Sequence, residues 1–325
     1  MVEVKAIVYR AYGAPSDVLR LEDVEQPSPG DDEVLVKVRA ASVNPMDVHL
    51  MGDVYLMRLM TGLRKPKPTV PGVDIAGTVE AIGRNVTRFE PGDAVFGVGR
   101  RAFAEYVCTS ESRLVSKPAT ITFEQAAALP VAGLTALQGI CDKGRVQPGQ
   151  RVLINGAAGG VGTFAVQVAK SLGAHVTGVC STRGVDVVRS LGADDVVDYT
   201  RDDVTRSGAR YDVVLDTAGN HPLPAWRRVM TAKGIFVPVG IRLGGRWIGP
   251  LPYLVNLLVR SRFVSQQVAF FTARANNEEL VRLKELVEAG TVMPVVDGCY
   301  ALRNAAEAIR HFKEGHPGGK VVIAV

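Results

Sequence analysis

Residues 151–172 read RVLINGAAGGVGTFAVQVAKSL: an apolar β-branched run, a glycine-rich turn and a helical pattern in immediate succession. Gly156, Gly159 and Gly162 are spaced G-x-x-G-x-x-G, with Gly160 between them. A strand–turn–helix unit with this spacing lets the backbone approach a diphosphate, and the helix N-terminus offers it free N–H groups and a positive dipole end. The turn therefore nominates Gly156, Ala158, Gly159, Gly160, Val161 and Gly162 as cofactor-binding backbone. A turn that only packs a helix onto a strand is the competing reading, and the flanking elements favour binding. The helix is expected from Thr163 to Leu172, with Phe164, Ala165, Val168, Ala169 and Leu172 on one face and Gly173 as its stop.

The second strand of such a unit, HVTGVC, ends at Cys180. An Asp or Glu there would accept hydrogen bonds from the adenosine ribose hydroxyls and repel a 2′-phosphate. This chain has Ser181, Thr182 and Arg183 instead. Two hydroxyls and a guanidinium suit a phosphate, which points to NADP(H). Two alternatives stay open: Arg183 as a solvated loop cation, and Asp186 turned back towards the ribose.

The glycine turn sits in the middle of the chain, and the texture on its two sides differs. Before it come alternating or β-branched runs, VEVKAIVYR, EVLVKVRAASV, IAGTVEAIG, DAVFGV and FAEYVC, separated by turn signals such as Pro29-Gly30 and Pro91-Gly92-Asp93. From Thr122 an Ala-rich helical stretch leads into strands alternating with helices, the mark of a parallel sheet. Helices are expected over 277–289 and 303–313, and a closing strand at KVVIAV. The expected architecture is α/β, with a β-rich domain (1–122), a doubly wound parallel-sheet domain (123–265) and a return to the first (266–325). At 325 residues the chain has length for both.

Charge and cysteine usage narrow the function. The 38 basic residues barely exceed the 33 acidic ones, and Arg100-Arg101, Arg227-Arg228, Arg260 and Arg262 are dispersed rather than striped, so no nucleic-acid partner is expected. Cys108, Cys141, Cys180 and Cys299 show neither disulfide nor zinc spacing, which fits a reducing cytosol. The segment MVEVKAIVYR lacks the apolar core of a signal peptide, and the apolar run 251–259 is too short to span a bilayer.

Several stretches together resemble the medium-chain dehydrogenase/reductase superfamily, in its zinc-free quinone oxidoreductase branch. They are ASVNPMDVHLMGD (41–53), PGVDIAGTVEAIG (71–83), LPVAGLTAL (129–137), NGAAGGVGTFAVQVAK (155–170), LGADDVVDY (191–199), LDTAG (215–219) and GGKVVI (318–323). The resemblance implies a GroES-like catalytic domain, a Rossmann-type nucleotide-binding domain and a homodimer. Zinc alcohol dehydrogenases of this superfamily place a ligand cysteine where Asn44 stands and a ligand histidine where Val73 stands. Neither residue replaces a thiolate or an imidazole, so no metal is expected. Without a metal to polarise a simple carbonyl, the acceptor should be a small electrophile, a quinone or an α,β-unsaturated carbonyl.

The same resemblance assigns roles. Asn44 is similar to an Asn beside the nicotinamide ribose and substrate, where its amide would orient a carbonyl oxygen; it is also a common residue in a turn before proline. Asp47 accompanies it, as a catalytic candidate or a turn stabiliser. His49 aligns with a Tyr in quinone oxidoreductases and with a proton-relay His in zinc enzymes, and a proton donor is its candidate role. Thr135 matches a residue packing against nicotinamide, Tyr199 one beside the 2′-phosphate, and Phe271 (with Phe270) the segment holding the carboxamide. Lys320 matches a basic position near the cofactor, although such a Lys can also be merely solvated. Ala218, Val239 and Gly240, at two strand ends, complete the cofactor-binding set, while Asp216 is read as organising a strand end. The segment 243–263, with Arg242, Arg246, Arg260 and Arg262 about it, suits a lid, a subunit interface or a membrane contact, and 54–68 suits a cleft lining. Three functions remain: an NADPH-dependent quinone or enone reductase, an NADPH-binding sensor with little turnover, and a zinc alcohol dehydrogenase.

Overall fold

Period-two alternation in the first third builds seven strands: β1 (Glu3–Tyr9), β2 (Leu19–Glu25), β3 (Glu33–Ser42), β4 (Asp74–Ile82), β5 (Ala94–Val98), β6 (Tyr106–Ser110) and β7 (Leu114–Ser116). The computed structural model describes residues 2–49, 51, 55, 58, 62, 64–67, 69–240, 255, 265–315 and 317–325. The segment 243–263, apart from residue 255, and most of 54–68 lie outside the described residues. The middle of the chain adds β8 (Arg151–Asn155), β9 (His175–Cys180), β10 (Asp195–Asp198), β11 (Tyr211–Asp216), β12 (Met230–Pro238) and β13 (Gln267–Val268); β14 (Val296–Ala301) and β15 (Lys320–Ala324) follow.

The chain forms two compact units. One comprises Met1–Leu134, Arg274–Gly290 and Pro294–Val325, the other Thr135–Ala273 and Thr291–Met293. The divisions come later than the 122/123 and 265/266 expected from texture. The Ala-rich helix Phe123–Ala127 is the reason for the first: it packs on β3, β4, β5 and β15, and Ala126, Ala127, Ala128 and Leu129 are fully buried. Small side chains let that helix lie close to the sheet.

In the first unit β1 and β2 pair as a two-stranded sheet, and a second sheet runs β14-β15-β3-β4-β5-β7, with β6 on β3. β15 pairs antiparallel with β3, Val322 opposite Ser42, and Val43 N–H donates to the Val321 carbonyl at 2.9 Å. That pairing brings Lys320 to the end of β3.

In the second unit the described strands form one parallel sheet ordered β10-β9-β8-β11-β12-β13. The order reverses between β8 and β11, and ligands of open parallel sheets bind beyond the carboxyl ends of the strands at such a reversal. Asn155 and Asp216 end those two strands side by side. Behind them Trp226 is fully buried, its ring 6.4 Å from that of Phe236 and its Nε1–H donating to Asp216 Oδ2 at 3.1 Å.

Replacing Trp226 by Ala removes both the packing and a donor to a buried carboxylate. The expected loss is about 3–5 kcal/mol of unfolding free energy, read by circular dichroism in urea titrations.

Candidate functional site

The glycine turn leaves backbone bare where a side chain would fill the space. Gly156 follows β8 at φ +81°, a left-handed conformation that suits glycine, and a Cβ there would lie 2.4 Å from Thr217 Oγ1. At Gly162 a Cβ would meet the Gly156 carbonyl oxygen at 2.1 Å, so the helix sits directly on the turn. That helix spans Gly160–Ser171 with Gly159 as N-cap, beginning earlier than the expected Thr163, because Thr163 N–H already finds the Gly159 carbonyl at 2.9 Å. Its first N–H groups, those of Gly160, Val161 and Gly162, have no acceptor within the helix; Ala158, Gly159, Gly160 and Val161 are half-buried. These residues fit a dinucleotide diphosphate.

Asp216 ties the strand ends around that turn. Its Oδ1 accepts from Asn155 Nδ2 at 2.7 Å, Gly219 N–H at 2.9 Å and Ala218 N–H at 3.2 Å, and Oδ2 accepts from Trp226. Its backbone carbonyl accepts from Val239 and Gly240 N–H, both at 2.8 Å. Burial pushes the Asp216 carboxyl upward in pKa, a rise that the Asn155, Gly219, Trp226 and Ala218 donors partly offset. The carboxylate thus gathers Asn155, Ala218 and Gly219, and the backbone carbonyl of the same residue gathers Val239 and Gly240. Thr135 is half-buried on the helix Pro130–Leu137. Phe271 is half-buried over Gly139, where an added Cβ would lie 3.5 Å from its ring.

Beyond β9, Ser181 is half-buried and Thr182 and Arg183 are exposed. Asp186 is exposed in the first turn of the helix Val185–Ser190. Tyr199, half-exposed, is held by its N–H to the Cys180 carbonyl at 3.0 Å. The Thr182 hydroxyl donates to Asp198 Oδ2 at 2.6 Å, so its single proton is used inside the fold. Asp198 has no local signal in the sequence: it lies in LGADDVVDY, and only parallel pairing registers it with Cys180 at the end of β9.

In the first unit, Asn44, Asp47 and Lys320 come together around Asp74. Asn44 Nδ2 donates to Asp74 Oδ2 at 2.9 Å and to the Ser42 carbonyl at 3.4 Å. Asn44 Oδ1 accepts from Lys320 Nζ at 2.8 Å. Lys320 Nζ also donates to the Val43 carbonyl at 3.1 Å and lies 3.3 Å from Asp74 Oδ2. Ser42 Oγ donates to Asp74 Oδ2 at 2.7 Å, and Val131 N–H donates to Asp74 Oδ1 at 3.0 Å. Every member named is buried except the half-buried Val131.

This network changes two expectations. Lys320 is 4% exposed rather than solvated, and its three protons face three internal acceptors, which leaves none for a cofactor contact. The amide of Asn44 is engaged at both ends by the protein, so it is fixed in orientation rather than free to orient a substrate carbonyl. Asp74 was overlooked because Gly72-Val73-Asp74 drew attention only to the missing histidine at Val73.

Asp47 is the stabiliser of this turn. Its Oδ2 accepts from Asn44 N–H at 2.8 Å and its Oδ1 from Gly72 N–H at 2.9 Å; burial nevertheless pushes its pKa up to about 6. His49, half-buried, caps the short helix Pro45–Val48 with its N–H on the Pro45 and Met46 carbonyls.

Comparison with known proteins agrees with this layout. Residues 30–119 match the alcohol dehydrogenase GroES-like domain, and residues 191–323 match the family described as zinc-binding dehydrogenase. A chloroplastic quinone oxidoreductase of Triphysaria versicolor is 32% identical over 98% of each chain. A chloroplastic NADPH-dependent alkenal/one oxidoreductase of Arabidopsis thaliana is 34% identical over 99% of this chain and 79% of its own. Among solved structures, the quinone oxidoreductase of Coxiella burnetii superposes with a TM-score of 0.88 at 29% identity, covering both chains completely.

The Asp47 shift carries a pH dependence. Its folded pKa of about 6 lies above the ordinary 3.8, so the stability belonging to its neutral form is complete below about pH 4. That contribution is lost as pH rises through 6, a change of about 3 kcal/mol. Urea unfolding between pH 4 and 7 should show this limb in the wild type, and Asp47→Asn should flatten it while lowering overall stability through the lost second acceptor.

Proposed function

This chain belongs to the quinone oxidoreductase clade of the medium-chain dehydrogenase/reductase family, and from that premise we propose that it reduces a quinone or an α,β-unsaturated carbonyl with NADPH and without a metal. The observation that carries the proposal is the occupancy of the positions where zinc relatives hold their ligands. Asn44 offers an amide already bonded to Lys320 and Asp74, the Lys320 ammonium already answers the Asp74 charge, and Val73 offers no ligand atom. Such a donor set does not suit Zn²⁺.

A reduced nicotinamide, when bound, supplies the hydride. The chain's residues do the rest. Gly156–Gly162 and the helix N-terminus hold the diphosphate. Arg183 pairs with the 2′-phosphate by charge-assisted hydrogen bonds, and Tyr199 packs beside it. The Asn44–Asp74–Lys320 network keeps the backbone at residues 42–44 rigid, so that binding energy is spent on orientation rather than on ordering the site. His49 is the candidate donor of the proton that the reduced acceptor takes up. The acceptor supplies its own electrophilicity through its conjugated π-system. Four free thiols suit a reducing compartment, and pairing of two chains through the nucleotide-binding unit is the assembly that the family suggests.

The test is anaerobic turnover of NADPH and NADH with a small quinone and with an enone, in chelator-treated protein, alongside direct cofactor titration. Chelator-resistant turnover that prefers NADPH is expected. Arg183→Ala should raise the KM for NADPH roughly tenfold, the loss of about one charge-assisted bond, and leave NADH nearly unchanged. Tight NADPH binding without turnover on either acceptor would instead make the chain a cofactor-binding sensor.

A further inference from the structure

The cofactor fingerprint usually carries its ribose-reading acid on the second strand. Here that strand ends in Cys180, and the nearest acid comes from the neighbouring strand β10. Asp198 registers with Cys180, and its carboxylate takes the hydrogen bond of Thr182. We infer that Asp198 is a determinant of cofactor specificity acting through Thr182: it makes the Thr182 hydroxyl an acceptor, suited to a ribose 2′-hydroxyl, and so admits NADH beside NADPH. The inference rests on the NADP(H) reading above and deepens it.

Proton accounting carries the argument. Thr182 Oγ1 donates to Asp198 Oδ2 at 2.6 Å, and Thr200 Oγ1 donates to Asp198 Oδ1 at 2.7 Å. Thr200 N–H reaches the same Oδ1 at 3.0 Å. A hydroxyl has one proton and two lone pairs, so each threonine proton is spent within the Thr182–Asp198–Thr200 cluster. The two hydroxyl oxygens stand 3.1 Å apart, within hydrogen-bond reach of each other, so the Thr182 proton is used inside the fold whichever partner takes it, and its oxygen keeps acceptor capacity. A phosphate oxygen needs a donor and finds none in the Thr182 hydroxyl; a ribose hydroxyl, which can donate, finds an acceptor there. The Thr182 bond holds the Asp198 carboxyl below the usual range, so it is ionised at neutral pH and its charge also opposes a 2′-phosphate.

Two cations work against that charge. Arg201 Nε lies 3.5 Å from Asp198 Oδ2 on a side chain that is 73% exposed, which screens their attraction. Arg183 is exposed and its guanidinium makes no hydrogen bond or ion pair with the described residues, so it is available to a phosphate. Arg183 therefore favours the phosphorylated cofactor while Asp198, through Thr182, favours the other, and the balance sets the preference.

Fluorescence titration of the full chain with NADPH and NADH tests this in Asp198→Asn, Thr182→Val and Arg183→Ala. Asp198→Asn removes the charge, so the preference for NADPH over NADH should rise roughly fivefold, the effect of one unit charge about 4 Å away in water. Thr182→Val should weaken NADH several-fold. An unchanged or lowered preference in Asp198→Asn overturns the inference; should that variant fail to fold, unchanged NADH affinity in Thr182→Val overturns it equally. Arg183→Ala separates the two levels. If it leaves NADPH binding untouched, the phosphate reading itself fails, whereas weakened NADPH binding with an unmoved Asp198→Asn ratio sinks only the role of Asp198.

Discussion

A buried carboxylate that must be satisfied is the constraint on which the nucleotide-binding unit depends. Asp216 sits with its side chain out of water at the point where the strand order reverses. The donors that answer it come from three pieces of the unit: Asn155 from β8, Ala218 and Gly219 from the turn after β11, Trp226 from the helix Leu223–Arg227. An unanswered charge at such a site would be prohibitive, so these pieces are held in one arrangement. The glycine turn inherits its geometry from that arrangement, because Thr217 and Ala218 stand against Gly156.

The other unit has its own buried charge, solved with an ion pair. Lys320 and Asp74 are both almost without solvent contact, and burying such a pair does not by itself add stability. What it gives is specificity of geometry. The amide of Asn44 has one allowed orientation between an ammonium and a carboxylate, and Asp47 fixes the backbone of the same residue from the other side.

Much of this was legible in the residue order. Period-two runs gave the strands of the first unit, and the run RVLIN followed by spaced glycines gave the turn and its helix, because those signals are local. The end of β9 was half legible: the missing acid could be seen at Ser181, but not the acid that a parallel neighbour delivers at Asp198. Lys320 and Asn44 are 276 positions apart, and no local pattern says that a lysine opening a strand will be buried against them. Asp74 was hidden for a similar reason, since its importance comes from partners on β3, on β15 and at the start of another helix. Motifs report what a segment does alone; charges that are buried together report the fold.

The pairing of β15 between β14 and β3 has a consequence for how the molecule is made. Domains tend to fold as units while synthesis proceeds at about 5–20 residues per second. The parallel sheet has all its described strands by residue 268 and can close early. The first unit can pair β3 with β4 and β6 early, but its sheet is complete only when residues 320–324 arrive, and with them the ammonium that Asn44 and Asp74 share. Until then β3 lacks one neighbour and Asp74 lacks its cation, so the sheet built on β3 is the last to be completed.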